Sequence, residues 1–237
     1  MRLFIDAYGD VAWLCIRQLV ERQLVSNMDI FIRTYDLEGN HNLLYYLNEV
    51  KLNFTFDVYN EEMLSQLNNF RPEFILSLFG RSRIPIEKIT SVKRSMNLHP
   101  SLLPKYKGCF SVPWAIINGE ESTGVTFHEI SEKLDEGKII YQQSCKIYNT
   151  DTAQSLYSRL NFIFYNNFMK VFEKYSNGQL SPTNQLDENS SYYPRKLPFD
   201  GLVNPLWDTD TKNRFIRAMY FPPFEPAINS ANKLITE

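Results

Sequence analysis

Met96-Asn97-Leu98-His99-Pro100-Ser101-Leu102-Leu103-Pro104-Lys105-Tyr106-Lys107-Gly108 joins a short apolar run to a stiff loop, and the rest of the chain can be placed around it. Asn97 and His99 stand two residues apart at the end of that run, and Pro100 and Pro104 forbid both helix and central strand beyond it. Alternate residues of a strand share a face. The spacing therefore predicts an amide and an imidazole side by side where a strand opens into a rigid loop. Imidazole takes and returns a proton near neutral pH. An amide N–H can steady an oxygen that gains negative charge. Together they suit acyl transfer. Taken alone, Asn-x-His is a weak signal, and a structural or solvent-facing histidine is its commoner explanation.

Upstream of this stretch the chain alternates strand and helix signals. Leu3-Phe4-Ile5 is an apolar run, Tyr8-Gly9-Asp10 turns, and Val11, Leu14, Cys15 and Leu19 recur at helical spacing. Asp29–Arg33 reads as a strand, 42–51 as a helix and Phe54-Thr55-Phe56 as a short strand. A helix over 60–68 takes Asn60 as its cap and turns Met63, Leu64 and Leu67 inward. Phe74-Ile75-Leu76-Ser77-Leu78 shows little alternation, as expected of a strand covered on both faces. This order predicts an α/β fold: a Rossmann-like, mostly parallel sheet with helices on both faces and right-handed crossovers. In such sheets ligands bind beyond the carboxyl ends of the strands, where Asn97 and His99 fall. The single Gly9 is no dinucleotide fingerprint, which needs three glycines.

Downstream, Pro113 suits a first helical turn and Gly119 a stop. Two strands are expected over 122–130 and 138–147, then the longest helix, 152–175, buries a stripe of Leu156, Leu160, Ile163, Phe164, Phe168 and Val171. The polar, unpatterned segment 179–190 reads as a linker. Beyond it, Tyr192-Tyr193-Pro194-Arg195-Lys196 leads to Trp207, a helix carrying Arg214 and Arg217, and Phe221-Pro222-Pro223-Phe224. Aromatics interleaved with cations could stack a base and neutralise a diphosphate; an amphipathic segment that closes the domain explains them too. Residues 228–237 are polar and expected to fray.

Composition narrows the field. The chain has 237 residues, a net charge of −2 and globular proportions, with 43% hydrophobic and 22% charged residues. Near-neutral charge argues against a nucleic-acid surface. No window approaches the ~18 apolar residues of a membrane span, and charge comes too soon after Met1 for a signal peptide. Cys15, Cys109 and Cys145 are far apart and lack zinc-ligand spacing. Reduced thiols and a cytoplasmic location are expected.

The full string from Asn97 to Gly108 resembles the central motif of the 10-formyltetrahydrofolate-dependent formyltransferases: Asn-x-His, Ser-Leu-Leu-Pro-x-Tyr, a basic residue and Gly. A second block, Thr123-Gly124-Val125-Thr126, His128 and Asp135-Glu136-Gly137-Lys138-Ile139-Ile140, resembles the family's Thr-Gly-Val-Thr and Asp-x-Gly-x-Ile elements in the same order. The resemblance runs from the first strand to Pro226. It implies the formyltransferase fold, with a catalytic domain over 1–178 and an extension over 179–237 that helps bind a nucleotide sugar and closes the domain. Asn97, His99 and Asp135 are implied as catalytic. Ser82, Arg83, Ile84, Glu132, Lys133, Leu134 and Asp135 are implied to border the folate.

The tail resembles that of the sugar N-formyltransferase branch, which implies a dTDP-linked amino sugar as acceptor, most simply dTDP-4-amino-4,6-dideoxyglucose. Tyr8, Lys105, Tyr106, Tyr193, Arg195, Lys196, Trp207 and Arg217 are the residues expected to hold it. The donor implied is 10-formyltetrahydrofolate. No metal, nucleic acid or membrane is expected, and a homodimer is the implied assembly. A dTDP-3-amino sugar as acceptor, a hydrolase that deformylates the folate, and a non-catalytic binder are the other readings that these residues admit.

Overall fold

The computed structural model describes residues 1–23, 25–186, 188–229, 231 and 233–235. In chain order the elements are β1 (Leu3–Ala7), α1 (Gly9–Glu21), β2 (Ile30–Arg33), α2 (His41–Glu49), β3 (Asn53–Thr55), α3 (Glu61–Phe70), β4 (Phe74–Leu78) and β5 (Arg94–His99). There follow β6 (Lys107–Gly108), α4 (Ser111–Ile117), β7 (Ser122–His128), β8 (Ile139–Lys146), α5 (Ala153–Ser176), β9 (Tyr192–Tyr193), α6 (Thr209–Met219), β10 (Ala227–Ile228) and β11 (Leu234–Ile235).

Seven strands form one sheet in the order β3-β2-β1-β4-β5-β7-β8. β1 lies parallel to β2 and to β4, and the pairs β2/β3 and β4/β5 are parallel as well. Every residue of β1, β2 and β4 is buried, so the apolar runs mark strands covered on both faces. The chain builds outward from β1 to β3, then returns to place β4 on the other side of β1. That reversal opens a crevice beyond the strand ends, the usual place for a ligand in an open α/β sheet. The turns after β1, β4 and β5 all end there, and the β4/β5 register sets Ser77 opposite Asn97.

By Cα proximity the chain forms two compact units that interleave along it. The first comprises Met1–His99, Phe127–Tyr141 and Phe164–Gln185; the second comprises Pro100–Thr126, Gln142–Ile163 and Leu186–Glu237. β7, β8 and α5 each begin in one unit and end in the other.

The first unit has an apolar core of Phe4, Phe31, Met63, Leu67, Ile75, Ile84 and Ile89. α3 presents Met63 and Leu67 to it, four residues apart on one helical face. The Asn60 side chain caps that helix by accepting the Met63 N–H at 2.9 Å, as its position predicts.

The second unit holds a row of rings: Tyr106 against Tyr193, Tyr193 against Trp114, Trp114 against Phe199, and Phe199 and Phe215 against Trp207. β6 and β9 pair in parallel. Gly108 is required there, because a Cβ would stand 2.1 Å from the Tyr193 carbonyl oxygen.

Two expectations change. The polar segment after α5 is not an idle linker: Thr183 bridges Ile139 in the first unit, and Gln185 is hydrogen-bonded into the turn described below. The tail does not simply fray, because β10 and β11 pair antiparallel. Ser230, Asn232, Thr236 and Glu237 of that tail lie outside the described residues. Among the described residues no helix is long and apolar enough to cross a membrane.

Candidate active site

β5 carries Asn97 and His99 to the carboxyl edge of the sheet in the first unit. β7 ends in His128, and the turn that follows carries Asp135. The turn closes where the Glu129 N–H donates to the Lys138 carbonyl at 2.8 Å. A Cβ on Gly137 would lie 1.7 Å from the Glu129 carbonyl oxygen, so only glycine permits this closure. Asp135 takes a left-handed backbone, φ +56°, a conformation that costs a non-glycine residue energy and persists where surroundings hold it. Gln185 supplies that hold. Its Nε2 donates to the carbonyl oxygens of both Asp135, at 2.7 Å, and Gly137, at 2.8 Å.

Four polar side chains meet as a result. Asp135 Oδ2 lies 3.5 Å from His99 Nδ1, and its Oδ1 lies 3.5 Å from His128 Nε2. Asn97 Nδ2 lies 3.0 Å from His128 Nε2. His99, His128 and Asp135 are only 4%, 2% and 6% exposed, so charge on any of them is felt by the others with little screening. His128 Nδ1 lies 2.8 Å from the Glu129 carbonyl. A carbonyl only accepts, so Nδ1 carries the hydrogen. Nε2 of the neutral ring then accepts from the Asn97 amide; in the cationic ring it donates toward Asp135. His128 thus governs how Asn97 presents its amide and shares the carboxylate with His99. Chemically the group can accept a proton at an imidazole, balance the resulting cation, and offer an amide N–H to a developing oxyanion.

The expected cofactor-binding residues also lie in the first unit and fall into two loops that touch. Arg83 Nε donates to the Glu132 carbonyl at 2.8 Å, while its terminal nitrogens reach Glu87 at 3.2 and 3.0 Å. Ser82, Glu132, Lys133 and Leu134 are exposed. Ile84 is not: its side chain is in the core, leaving only its backbone for a ligand.

The same edge of the sheet is braced from below. Buried Asp6 pairs with Arg33 at 3.1 Å and accepts the Tyr59 hydroxyl at 2.6 Å. Burial pushes the Asp6 carboxyl up while the Arg33 guanidinium opposes the rise. Tyr35 Oη accepts from Arg33 at 2.6 Å and from the Arg81 N–H at 2.7 Å. A Cβ on Gly80 would stand 2.8 Å from the Asp6 carboxyl. The loop after β4 therefore rests on this pair. Tyr8 stands close by, its hydroxyl donating to the Glu38 carbonyl at 2.6 Å and its ring 5.0 Å below the Arg81 guanidinium.

The remaining expected substrate residues belong to the second unit. Lys105 and Tyr106 converge on Glu120, at 3.1 and 2.9 Å, and Asn118 Nδ2 donates to the hydroxyls of both Tyr106 and Tyr193, at 3.1 and 3.0 Å. Tyr193 rings stack with Tyr106 and Trp114 at 5.6 and 4.5 Å. Arg195 and Lys196 are exposed, and Lys196 pairs with Asp200 at 3.2 Å. Trp207 is packed edge-on against Phe199 and Phe215. Arg217 donates to the Asp151 carbonyl. Tyr106, Tyr193 and Trp207 thus belong to one connected run of rings through Trp114 and Phe199.

Two residues of the site carry no role in the sequence analysis. His128 stands in the quoted motif, and its strand position, two residues after Thr126, marks a side chain on the same face. Gln185 sits in a polar stretch with no period, and nothing local distinguishes it.

A family profile described as formyl transferase matches residues 24–172. The GDP-perosamine N-formyltransferase of Brucella melitensis biotype 1 is 38% identical over 232 residues, covering 96% of this chain and 88% of that protein. Among solved structures, WlaRD, a sugar 3N-formyl transferase crystallised in the presence of dTDP and 5-N-formyl-THF, superposes with a TM-score of 0.85 at 23% identity, covering 100% of this chain and 85% of that one. A 4-N formyltransferase from Francisella tularensis does so at 0.78 and 16%, covering 99% and 95%. These two structures share the fold.

Proposed function

This chain belongs to the formyl transferase family, and we propose that it moves a formyl group from 10-formyltetrahydrofolate to the amino group of a nucleotide-linked amino sugar. The meeting of Asn97, His99, His128 and Asp135 at the end of β5 is the observation that carries the proposal. The 38% identical protein, matched over nearly its whole length, bears a name specifying GDP-perosamine. That favours a guanosine diphosphate sugar over the thymidine-linked sugar expected from the tail alone. dTDP-4-amino-4,6-dideoxyglucose and dTDP-3-amino sugars are the comparison substrates.

The residues divide the chemistry among them. An amine attacks the formyl carbon only when neutral, and it must then lose a proton. His99 takes that proton, and Asp135 orients the imidazole and balances its charge. As the formyl carbonyl becomes tetrahedral its oxygen gains negative charge. Asn97 Nδ2, with His128 fixing the orientation of its amide, and the protonated His99 donate to that oxygen. Collapse of the intermediate breaks the bond to the folate N10, which takes up the proton held by His99, so that tetrahydrofolate leaves neutral at that nitrogen and the formyl group stays on the sugar nitrogen. Loops 82–84 and 132–135 border the folate, chiefly through backbone groups. Among the described residues no group of three or more His, Cys, Asp or Glu side chains is disposed to hold a metal, and no step assigned here uses one.

The test is an assay of tetrahydrofolate release with and without GDP-linked and dTDP-linked amino sugars. Release that depends on the sugar, with the formylated sugar seen by mass spectrometry, is expected. Release at the same rate without any sugar would instead indicate a hydrolase.

A further inference from the structure

Three unfavourable features coincide at one place in the first unit. Asp6 and Arg33 face each other in the β1/β2 register, both buried, as an ion pair of 3.1 Å. Taking two charges out of water can cost more than their attraction returns, and apolar residues of similar volume often stabilise a core as well or better. Asp6 Oδ1 is shut off from solvent without a hydrogen-bond partner, a further cost. Phe79, the residue after β4, holds a left-handed backbone at φ +60°, which is unfavourable for a bulky side chain.

All three act on the main chain that leaves β4. Phe79 is fixed by an antiparallel bridge to Ala7 and by its ring, 5.5 Å from that of Phe164. Gly80 then runs so close to Asp6 that an added Cβ would stand 2.8 Å from the carboxyl. The next N–H, that of Arg81, donates to Tyr35 Oη at 2.7 Å, and the same oxygen accepts from Arg33 Nη1 at 2.6 Å. The Ser82 side chain reaches this phenol too. Arg33 is itself clasped between the rings of Tyr35 and Tyr59, 4.6 and 4.5 Å from Cζ, and donates to the Asp57 carbonyl. Burial, and then the charge of Asp6, push the Tyr35 phenol above its usual range. It therefore stays protonated and serves as a hydrogen-bonding post, not as an acid.

Strain and buried polarity that stability does not require persist where surrounding structure holds a functional segment ready. The segment held here is Gly80-Arg81-Ser82, which leads into Arg83 and the buried Ile84.

We infer that Tyr35 is a positioning residue for the formyl donor, presenting the main chain of the loop after β4 from the buried Asp6–Arg33 pair. The inference rests on the function proposed above, which sets loop 82–84 against the folate. It adds the device that orders the loop before the donor arrives. A loop ordered in advance loses less freedom on binding.

The experiment uses the full chain and its Tyr35→Phe, Tyr59→Phe and Asp6→Leu/Arg33→Met variants. Tyr35→Phe removes the acceptor of the Arg81 N–H and keeps the ring. Tyr59→Phe is the control: its hydroxyl donates to the same Asp6 carboxyl at 2.6 Å and bonds no loop residue among those described. Each protein is melted, titrated with tetrahydrofolate by calorimetry, and followed by amide hydrogen exchange over residues 79–84. KM is measured separately for formyl donor and sugar nucleotide. Tyr35→Phe is expected to speed exchange in the loop, weaken tetrahydrofolate and raise the donor KM by about tenfold, the worth of one hydrogen bond. Its kcat and sugar-nucleotide KM should not move. Tyr59→Phe should lower the melting temperature and leave the donor KM as it is. The double variant should melt close to the wild type yet raise the donor KM at least as far as Tyr35→Phe, so that stability and donor affinity separate. A wild-type donor KM in folded Tyr35→Phe or in the double variant would overturn the inference. So would a donor KM that rises in Tyr59→Phe in step with lost stability. A wild-type chain that neither binds tetrahydrofolate nor consumes the donor would defeat the proposed function and this inference with it.

Discussion

Removing the Gln185 amide tests whether the Asp135 turn is built for the site or merely for the fold. Gln185 Nε2 makes two hydrogen bonds, to carbonyl oxygens of Asp135 and Gly137 at 2.7 and 2.8 Å. Both residues are buried. At about 1 kcal/mol net per bond, Gln185→Ala should cost about 2 kcal/mol of stability. In a chain of this size that lowers the melting temperature by about 4–8 °C. The catalytic cost comes through position. Asp135 is strained, at φ +56°, and its carboxylate stands 3.5 Å from each imidazole. A turn freed to relax carries the carboxylate away from both rings, and a misplacement of about 1 Å can cost about a hundredfold in rate. Steady-state formyl transfer should therefore show kcat reduced by about ten- to a hundredfold, with KM for both substrates nearly unchanged. Asn at 185 is one methylene too short to reach both carbonyls and should behave like Ala. A Gln185→Ala enzyme that loses the expected stability yet keeps wild-type kcat would refute the positioning role and leave Gln185 a purely structural tie.

Four further outcomes follow from the same geometry. His99→Ala should lose about 10²–10⁴-fold in kcat, the usual worth of a general base, while its circular dichroism stays native. Asn97→Ala should cost about 10²–10³-fold, as for one oxyanion donor, with the folate KM retained. Arg33→Met should destabilise the chain by about 3–5 kcal/mol because it strands the buried Asp6, and urea unfolding of an Asp6→Leu/Arg33→Met double variant should recover most of that loss. Gly137→Ala should abolish soluble protein, since the Cβ would fall 1.7 Å from a backbone oxygen.

How far the sequence could be read depended on the length over which each signal repeats. Phe74–Leu78 and Leu3–Ile5 are continuous apolar runs, and buried parallel strands are the structure that uses them, so the first five strands and their helices were legible. Asn97 and His99 were legible as a pair because β5 ends in them and two prolines follow. Contacts made by very short elements were not. β6 and β9 are two residues each, too brief for any alternation, yet their pairing brings Tyr193 against Tyr106 and Trp114. β10 and β11 are equally short, and the tail looked unstructured for that reason. Gln185 binds through one side-chain amide to carbonyls some fifty residues earlier in the chain, and no local pattern encodes such a partner. Asp6 is fully buried against Arg33; the pairing is invisible until β1 and β2 lie side by side. The interleaving of the two units follows from spatial proximity, which has no period along the chain.

The central claim is that Asn97, His99 and Asp135 pass a formyl group from a folate to a sugar amine. Its most direct test is a single-turnover experiment with 10-formyltetrahydrofolate carrying an isotopic label in the formyl carbon, run beside the His99→Ala variant with a GDP-linked amino sugar present. The label is expected on the sugar nitrogen with the wild-type chain and to remain on the folate with the variant. Label appearing as free formate at a rate indifferent to the sugar, or reaching the sugar equally fast without His99, would contradict the account.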